Sequence, residues 1–246
     1  GLVGSEMCIR DSLTLFAFRT YRNAKARAEA VTPAAGGKPK RSCFLSPYRS
    51  VIIAVKSPRR PKGAKEDRMK KEINVYSHGT ELLEALSKGV LLNSKAHGKL
   101  NTMTISWGSV GTFWGKPTFV TYVRTGRHTH ELLEANPYFT VCVPYGACDR
   151  SILGKAGSVT GRGMDKVAQL GLTPFPASVN GVDGFKEFPL TLECKIVYKQ
   201  TFDGSAMPQD ALDRFYPADV DSTNCGANRD MHTAYYGEVL AAYIEQ

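Results

Sequence analysis

The sequence predicts a mainly β fold, an antiparallel β-barrel with a few short helices packed outside it. Six stretches between residues 89 and 245 alternate apolar and polar residues or are rich in β-branched and aromatic residues, as strands are. Helical periodicity is confined to short stretches. No strand-helix-strand rhythm is present, which argues against a parallel α/β fold.

Residues 1–68 are expected to lie outside this barrel. The chain has a net charge of +9, and these residues hold 15 of its 32 Lys and Arg but 5 of its 23 Asp and Glu. Residues 69–246 are therefore close to neutral, which removes the argument for a nucleic-acid or membrane-surface partner. Residues 1–12 resemble a translated sequencing-library adapter, and residues 13–68 are interpreted as disordered translation of upstream sequence. A basic arm or an organellar targeting peptide is the alternative.

We expect the native domain to begin at Met69 and to be a single soluble, cytoplasmic domain with a sizeable core. No stretch approaches the roughly 18 consecutive apolar residues of a membrane span. The cysteines in this part of the chain show no Cys-x-x-Cys spacing, so reduced thiols are expected and a metal site is not. These cysteines are Cys142, Cys148, Cys194 and Cys225.

The first half of the domain is predicted to form one helix followed by a hairpin. Apolar spacing over residues 80–86 is typical of an amphipathic helix, which Gly89 ends. Apolar residues then recur at every second position, as in a strand. The strand-like runs 89–95 and 100–108 flank residues 96–99, AHGK, which favour a turn. A third strand is predicted over residues 117–124, and the stretch between these last two strands is not assigned.

A second helix is predicted to start at Thr129 as its N-cap and to stop at Asn136-Pro137. A long polar segment, residues 206–234, separates the last two strands, and segments of this length are commonly functional or disordered. The remaining predicted elements are strands over residues 138–144, 190–200 and 235–245 and a short helix over residues 163–171.

Basic residues cluster at the predicted start of this second helix. They are Arg124, Arg127 and His128. Guanidinium groups, a hydroxyl and the unpaired N–H groups of a helix start together suit a phosphate. A solvated basic turn with a routine cap is the alternative.

The stretch NTMTISW, residues 101–107, carries hydroxyls and an amide but no charge. Its polar groups suit the edge of a flat heterocycle, and Trp107 suits the face of one. Ordinary packing of core and surface residues explains the same alternation. One face of an extended strand holds Asn101, Met103, Ile105 and Trp107, and the other holds Thr102, Thr104 and Ser106.

Together the two stretches describe a phosphorylated planar ligand lying across a barrel. At this point the sequence resembles the flavin reductase-like, FMN-binding split-barrel family, in particular its flavoredoxin-type members. The resemblance runs from about residue 72 to residue 245. Among the motifs that carry it are KGVLLNSK, NTMTISWG, FVTYVRTGRHTHELL, GRGMDK and HTAYYGEV.

The resemblance implies FMN as the cofactor, which carries the chemistry without a catalytic side chain. It also implies that Lys166 and His232 lie near the flavin. A solvent-facing helix lysine and a histidine bonded to the long segment are the respective alternatives. The complete set of implied FMN-binding residues is Asn101, Thr102, Met103, Thr104, Ser106, Trp107, Arg124, Arg127, His128, Thr129, Lys166 and His232.

The resemblance further implies a homodimer with flavin near the interface, and NAD(P)H as a reductant that passes hydride to FMN. The stretch GKAGSVTGRG lacks the spacing and the preceding strand of a dinucleotide-binding motif, so a nicotinamide is expected to dock only transiently. One alternative is a flavoredoxin-like electron carrier that receives electrons from a protein partner without oxidising NAD(P)H. The other is a barrel without redox activity.

Overall fold

The computed structural model describes residues 69–246, so the expectations for residues 1–68 lie outside the described residues. The strands are β1 Lys70–Glu72, β2 Val90–Ala96, β3 Lys99–Ile105, β4 Gly108–Phe113, β5 Lys116–Arg124, β6 Tyr138–Val143, β7 Pro174–Phe175, β8 Gly184–Phe185, β9 Leu190–Thr201 and β10 His232–Glu245. The helices are α1 Gly79–Lys88, α2 His128–Ala135, α3 Ser151–Ser158, α4 Lys166–Gln169 and α5 Gln209–Phe215. Short 3₁₀ turns cover Tyr76–His78 and Gly204–Ala206.

A two-residue connection between its edges forces the main sheet to curl. The strand order is β3-β2-β6-β9-β10-β5-β4, with β1 also paired to β10, and the paired strands are antiparallel. Strands β3 and β4 lie at opposite ends of this order, yet only Ser106 and Trp107 separate them. Three Cα steps span at most about 11 Å. The two edges therefore meet, which confirms the predicted antiparallel split barrel.

The core lies on both sides of β2. Val90 and Leu92 pack with α1 and with Phe139 inside the barrel, whereas Leu91 packs with Leu153 of α3 on the outer face. This alternation follows from the two-residue period of a strand. The cysteines of the described part are free thiols, with Cys142 and Cys194 buried, Cys148 half-buried and Cys225 exposed.

Strand β4 and helix α3 were not predicted. Strand β4, GSVGTF, contains two glycines, so its propensity is weak, and its pairing with β5 holds it in place. The turn between them is Trp114-Gly115, where both residues have positive φ angles of 51° and 75°. Helix α3, SILGKAGS, also contains two glycines, which hid it in the sequence.

The predicted N-cap of the second helix is wrong. Helix α2 begins at His128, and its cap position is Arg127, whose backbone is extended. Thr129 lies in the first turn and is buried, because its hydroxyl faces β3 rather than the helix end. None of the helices described between residues 69 and 246 has the length and apolar character needed to cross a membrane.

A substitution of Gly237 would test how tightly the centre of the sheet is packed. A Cβ at this position of β10 would lie 2.4 Å from Cζ of Phe139. We expect Gly237→Ala to lower the free energy of unfolding by about 1–3 kcal/mol, because neither strand can move away. Chemical denaturation measures this.

Gly111→Ala in β4 is the matched control, since a Cβ there meets nothing within 4 Å. Its effect should stay within about 0.5 kcal/mol. Equal losses in the two variants would contradict the packing argument.

Candidate functional site

Two adjoining cavities open where β3, β5 and β10 come together. The first, of about 340 Å³, is here called the aromatic cleft. Its walls are aromatic and apolar side chains together with two arginines. The lining residues are Met103, Thr104, Ile105, Ser106, Trp107, Tyr122, Arg124, Arg127, Phe215, Cys225, Gly226, Ala227 and His232.

The second, here called the polar cavity, has a volume of about 650 Å³. It is lined by hydroxyls and by Arg127, Arg162 and Lys166, and its lining includes no carboxylate. Met103, Thr104, Arg127 and Cys225 line both cavities, so one ligand can occupy the two together. The other lining residues are Asn101, Gly126, His128, Thr129, Ala156, Gly157, Ser158, Val159, Thr160, Gly161, Ser222 and Thr223.

The cavities gather all but one of the residues that the resemblance implied. Thr102 is the exception, because it lines neither cavity. Its side chain is fully buried, and its hydroxyl donates to Oδ1 of Asn93 at 2.7 Å. Only its backbone carbonyl faces a site residue, since it accepts from Nζ of Lys166.

The structure gives Arg124 contacts that the sequence did not predict. Its guanidinium group is buried and donates to three backbone carbonyls, those of Phe215 at 2.9 Å, Asn228 at 3.2 Å and Asp230 at 2.7 Å. Burial lowers the pKa of Arg124, and Tyr216 and Asp230 partly oppose that shift. Through these three bonds Arg124 holds the long polar segment on the barrel, and its contact with a phosphate stays a prediction.

Arg127 lies between the two cavities. It donates to the carbonyl oxygens of Asn224 at 3.0 Å and Cys225 at 2.7 Å. His128 is bonded to the carboxylate of Glu131 at 3.0 Å and is thereby turned along the first turn of α2. Of the three basic residues in this cluster, Arg127 is the one best placed to meet an anion in the polar cavity.

Asn101 and Thr129 are joined across the floor of the polar cavity. Nδ2 of Asn101 donates to the hydroxyl oxygen of Thr129 at 3.0 Å, and both side chains are buried. Gly161 is fitted against this pair, since a Cβ there would lie 2.0 Å from Oδ1 of Asn101. The bond connects the ring-edge strand β3 to the start of α2, where helix N–H groups lack intrahelical partners.

Lys166 is buried rather than solvent-facing. Its Nζ donates to the carbonyl oxygens of Thr102 at 2.9 Å and Ala156 at 2.8 Å, which connects α4 to β3 and α3. Burial, and secondarily the charge of Arg127, lowers the pKa of Lys166 to about 8. An anion in the polar cavity would favour its charged form.

His232 forms part of the aromatic cleft and also bonds to the long segment. Its Nδ1 lies 2.7 Å from the hydroxyl of Tyr216, and its ring centroid lies 5.2 Å from that of Trp107. Burial, followed by the charges of Arg124 and Arg127, lowers the pKa of His232 to about 3. The imidazole is therefore neutral at physiological pH.

Sequence reasoning missed Arg162 and Phe215. Arg162 pairs with the carboxylate of Glu131 and donates to the carbonyl of Gly126 at 2.9 Å. Its flanking glycines, close before Lys166, were the available signal. Phe215 meets Trp107 edge-on at 5.2 Å, where helix α5 brings it by packing. Its stretch FYPADVD carries part of the family resemblance, but no site role was predicted for Phe215. Among residues 69–246, no group of His, Cys, Asp and Glu could hold a metal ion.

A split barrel with an aromatic cleft beside a cationic cavity defines a protein that binds a planar, anionic ligand. The chain belongs to the flavin reductase-like domain family, which matches residues 84–246. The resemblance predicted from the sequence is thereby confirmed. Family membership implies FMN as the ligand.

The chain is similar to several solved structures. The FMN-binding domain of a flavin reductase-like enzyme from Shewanella baltica OS155 is 16% identical, with 73% of this chain and 79% of that chain covered and a TM-score of 0.50. The flavoredoxin from Methanosarcina acetivorans is 24% identical, with coverages of 64% and 68% and a TM-score of 0.47. That of Desulfovibrio vulgaris (Miyazaki F) is 17% identical, with coverages of 77% and 78% and a TM-score of 0.48. Among curated proteins, none matches the chain.

The residues present fit FMN. Three cations without a carboxylate line the polar cavity, which suits a phosphate, and hydroxyl side chains there suit a ribityl chain. The adjoining cleft offers Trp107, Tyr122 and Phe215 to a flat ring. Both volumes lie within the roughly 300–1,000 Å³ of small-molecule sites.

The lowered pKa of His232 predicts an acid-side loss of stability. The unfolded chain takes up a proton near pH 6.5, whereas the folded chain resists protonation of His232 until about pH 3. The free energy of unfolding should therefore fall as the pH decreases through this window. In His232→Gln the fall should be shallower. Urea unfolding between pH 7.5 and 4.5 measures both slopes, and equal slopes would overturn the assignment.

Proposed function

We propose that the protein is an FMN-binding oxidoreductase of the NAD(P)H-dependent flavin reductase type. The observation that carries this proposal is the continuity of the two cavities through Met103, Thr104 and Arg127. A ring in the aromatic cleft and a phosphate in the polar cavity can then belong to one molecule. Family membership supports FMN as that molecule.

In this proposal, Arg127, the Asn101–Thr129 pair and the N–H groups at the start of α2 hold the phosphate. Lys166 supplies a further positive charge, since an anion offsets the cost of burying its ammonium group. The hydroxyl of Thr104 already donates to the carbonyl of Leu153 at 2.5 Å, so its ring contact is made as an acceptor or through its methyl group.

Bound FMN would accept hydride from NAD(P)H and pass electrons to a second acceptor. The protein's task is placement and electrostatics. Trp107 and Phe215 supply apolar surface to the cleft, and His232 stays neutral there. The positive charges of Arg124 and Arg127 favour negative charge on whatever occupies the cleft.

Flavin binding should depend on the phosphate. We expect the purified full chain to be yellow, and Arg127→Gln to weaken FMN binding by about tenfold or more, because it removes a charge-assisted contact. Riboflavin, which lacks the phosphate, should lose less affinity than FMN in this variant, because it is affected only through the contacts of Arg127 with Asn224 and Cys225. Fluorescence titration with each flavin measures these affinities.

Arg229→Gln is the matched control. Arg229 is an exposed arginine whose guanidinium pairs with Asp221 outside both cavities. A colourless protein without affinity for FMN would overturn the proposal, and equal losses for FMN and riboflavin would overturn the phosphate assignment.

An electron carrier is the second candidate, favoured by the covering of the aromatic cleft. Phe215 and residues 225–227 line it from the long segment, which restricts the space for a nicotinamide. Steady oxidation of NADH or NADPH by the flavin-loaded chain supports the reductase. Flavin reduction by a protein donor, without such oxidation, supports the carrier.

We also propose a homodimer, as the family resemblance implies. An exposed aromatic cluster of Phe113, Trp114, Tyr198 and Tyr236 on β4, β9 and β10 supports this, with ring centroids 4.4–6.2 Å apart. Trp114 is 71% exposed, so a second copy packed there would bury a large apolar side chain.

Trp114→Ser should shift the mass measured by light scattering from dimer towards monomer. Tyr145→Ser, at an exposed tyrosine outside the cluster, should not. A wild-type monomer, or an unchanged dimer in Trp114→Ser, would contradict this placement of the interface.

A further inference from the structure

The long segment between β9 and β10 forms one wall of the candidate site. Residues 203–231, which include most of the long polar segment predicted from the sequence, are here called the cover segment. They contribute Phe215 and residues 225–227 to the aromatic cleft and Ser222, Thr223 and Cys225 to the polar cavity. A ligand that occupied both cavities would therefore lie between the barrel and this segment.

Two arginines of the barrel fasten the cover segment. Arg124, at the end of β5, donates to carbonyl oxygens of Phe215, Asn228 and Asp230. Arg127, just before α2, donates to those of Asn224 and Cys225. Four of these five carbonyls lie between residues 224 and 230 and the fifth belongs to Phe215, so the contacts fix the part of the segment from Phe215 to Asp230.

The position of Arg124 is itself rigid. It is 7% exposed, and strand pairing places it opposite His232, where the cover segment ends. Its guanidinium also lies over the ring of Tyr216, 5.0 Å from the ring centroid, while the hydroxyl of Tyr216 bonds to His232. Asn228 is fully buried, and its side chain bonds to the backbone of Asn224 and Asp230.

We infer that the cover segment retains FMN as a bound prosthetic group, with Arg124 as the positioning residue that keeps the segment closed. The inference rests on the proposed FMN site. A diffusible flavin substrate must leave in every turnover, whereas the carbonyl contacts of Arg124 and Arg127 hold one wall of the site in place. A retained flavin can instead be reduced and reoxidised in place.

Arg127 links ligand binding to the closed position of the cover segment. It lines both cavities and also bonds to the cover segment, so its charge would face the phosphate from the same position that holds Asn224 and Cys225. An anion there would fix the Arg127 side chain and reduce the motion of the segment. Ligand binding should therefore protect the segment from opening.

The test measures FMN release from the flavin-loaded full chain after rapid desalting, followed by the return of free-flavin fluorescence. Wild type should keep its FMN through desalting. Arg124→Met should release FMN at least about tenfold faster, since it loses three charge-assisted bonds to the segment. Arg229→Met, an exposed arginine of the same segment paired with Asp221, should release FMN at the wild-type rate.

Hydrogen exchange gives a second readout that needs no variant. Amides of residues 203–231 in wild type should exchange more slowly when FMN is bound. Asn228→Ala, which leaves Arg124 in place but loosens the segment, should raise the release rate and reduce that protection.

The outcomes separate the two proposals. A wild type that binds no FMN overturns the proposed function. Three results would overturn the retention inference alone. They are loss of FMN from wild type within seconds, equal release rates from wild type, Arg124→Met and Asn228→Ala, and hydrogen exchange that FMN leaves unchanged.

Discussion

The two-residue connection Ser106-Trp107 is the constraint on which the rest of the structure depends. It joins the two edges of a curled sheet, so it sets where the barrel is split. Trp107 therefore lies at the seam, which is the line where the edge strands β3 and β4 meet. On the inner side of the curled sheet, the core packs against α1. Trp107 is still 41% exposed, because the seam is an opening and not a closed wall.

The seam also explains the concentration of cations. Arg124 at the end of β5 and His232 at the start of β10 are strand partners there, and Arg127 follows within the next turn. Burying charge is costly unless hydrogen bonds compensate it. In Arg124 and Lys166 part of the compensation comes from backbone carbonyls, which accept hydrogen bonds without neutralising the positive charge, and Asp230 offsets part of the charge of Arg124. Such a field favours an anionic ligand and adds to the effect of burial, which is the larger cause of the lowered pKa of His232.

The sequence predicted the parts of the fold that local chemistry decides. The β2–β3 hairpin follows from the His97-Gly98 turn, where both residues have positive φ angles of 52° and 76°. Helix α1 follows from its apolar spacing and Gly89. By contrast, β4 depends on pairing with β5, which no propensity within GSVGTF reveals.

The candidate site was predictable in composition but not in the assignment of roles. Most of the expected residues line the two cavities, since they cluster around a strand end and a helix start. The role of Arg124 was missed because its partners are carbonyls about 90 to 106 positions away. Thr129 was misplaced as a cap because its partner, Asn101, lies on another strand. Contacts at such separations are set by topology, which sequence spacing does not encode.

The cover segment lies outside the paired part of the two strands that it connects. Strands β9 and β10 are the longest, and they pair as far as Thr201 with Thr233, so the barrel is complete before the segment begins. Lengthening such a connection costs little, since doubling a flexible loop adds only about 0.6 kcal/mol. The segment can therefore vary in length and side chains without disturbing the barrel. Because it forms a wall of both cavities, such variation would change what reaches the flavin and how long the flavin stays.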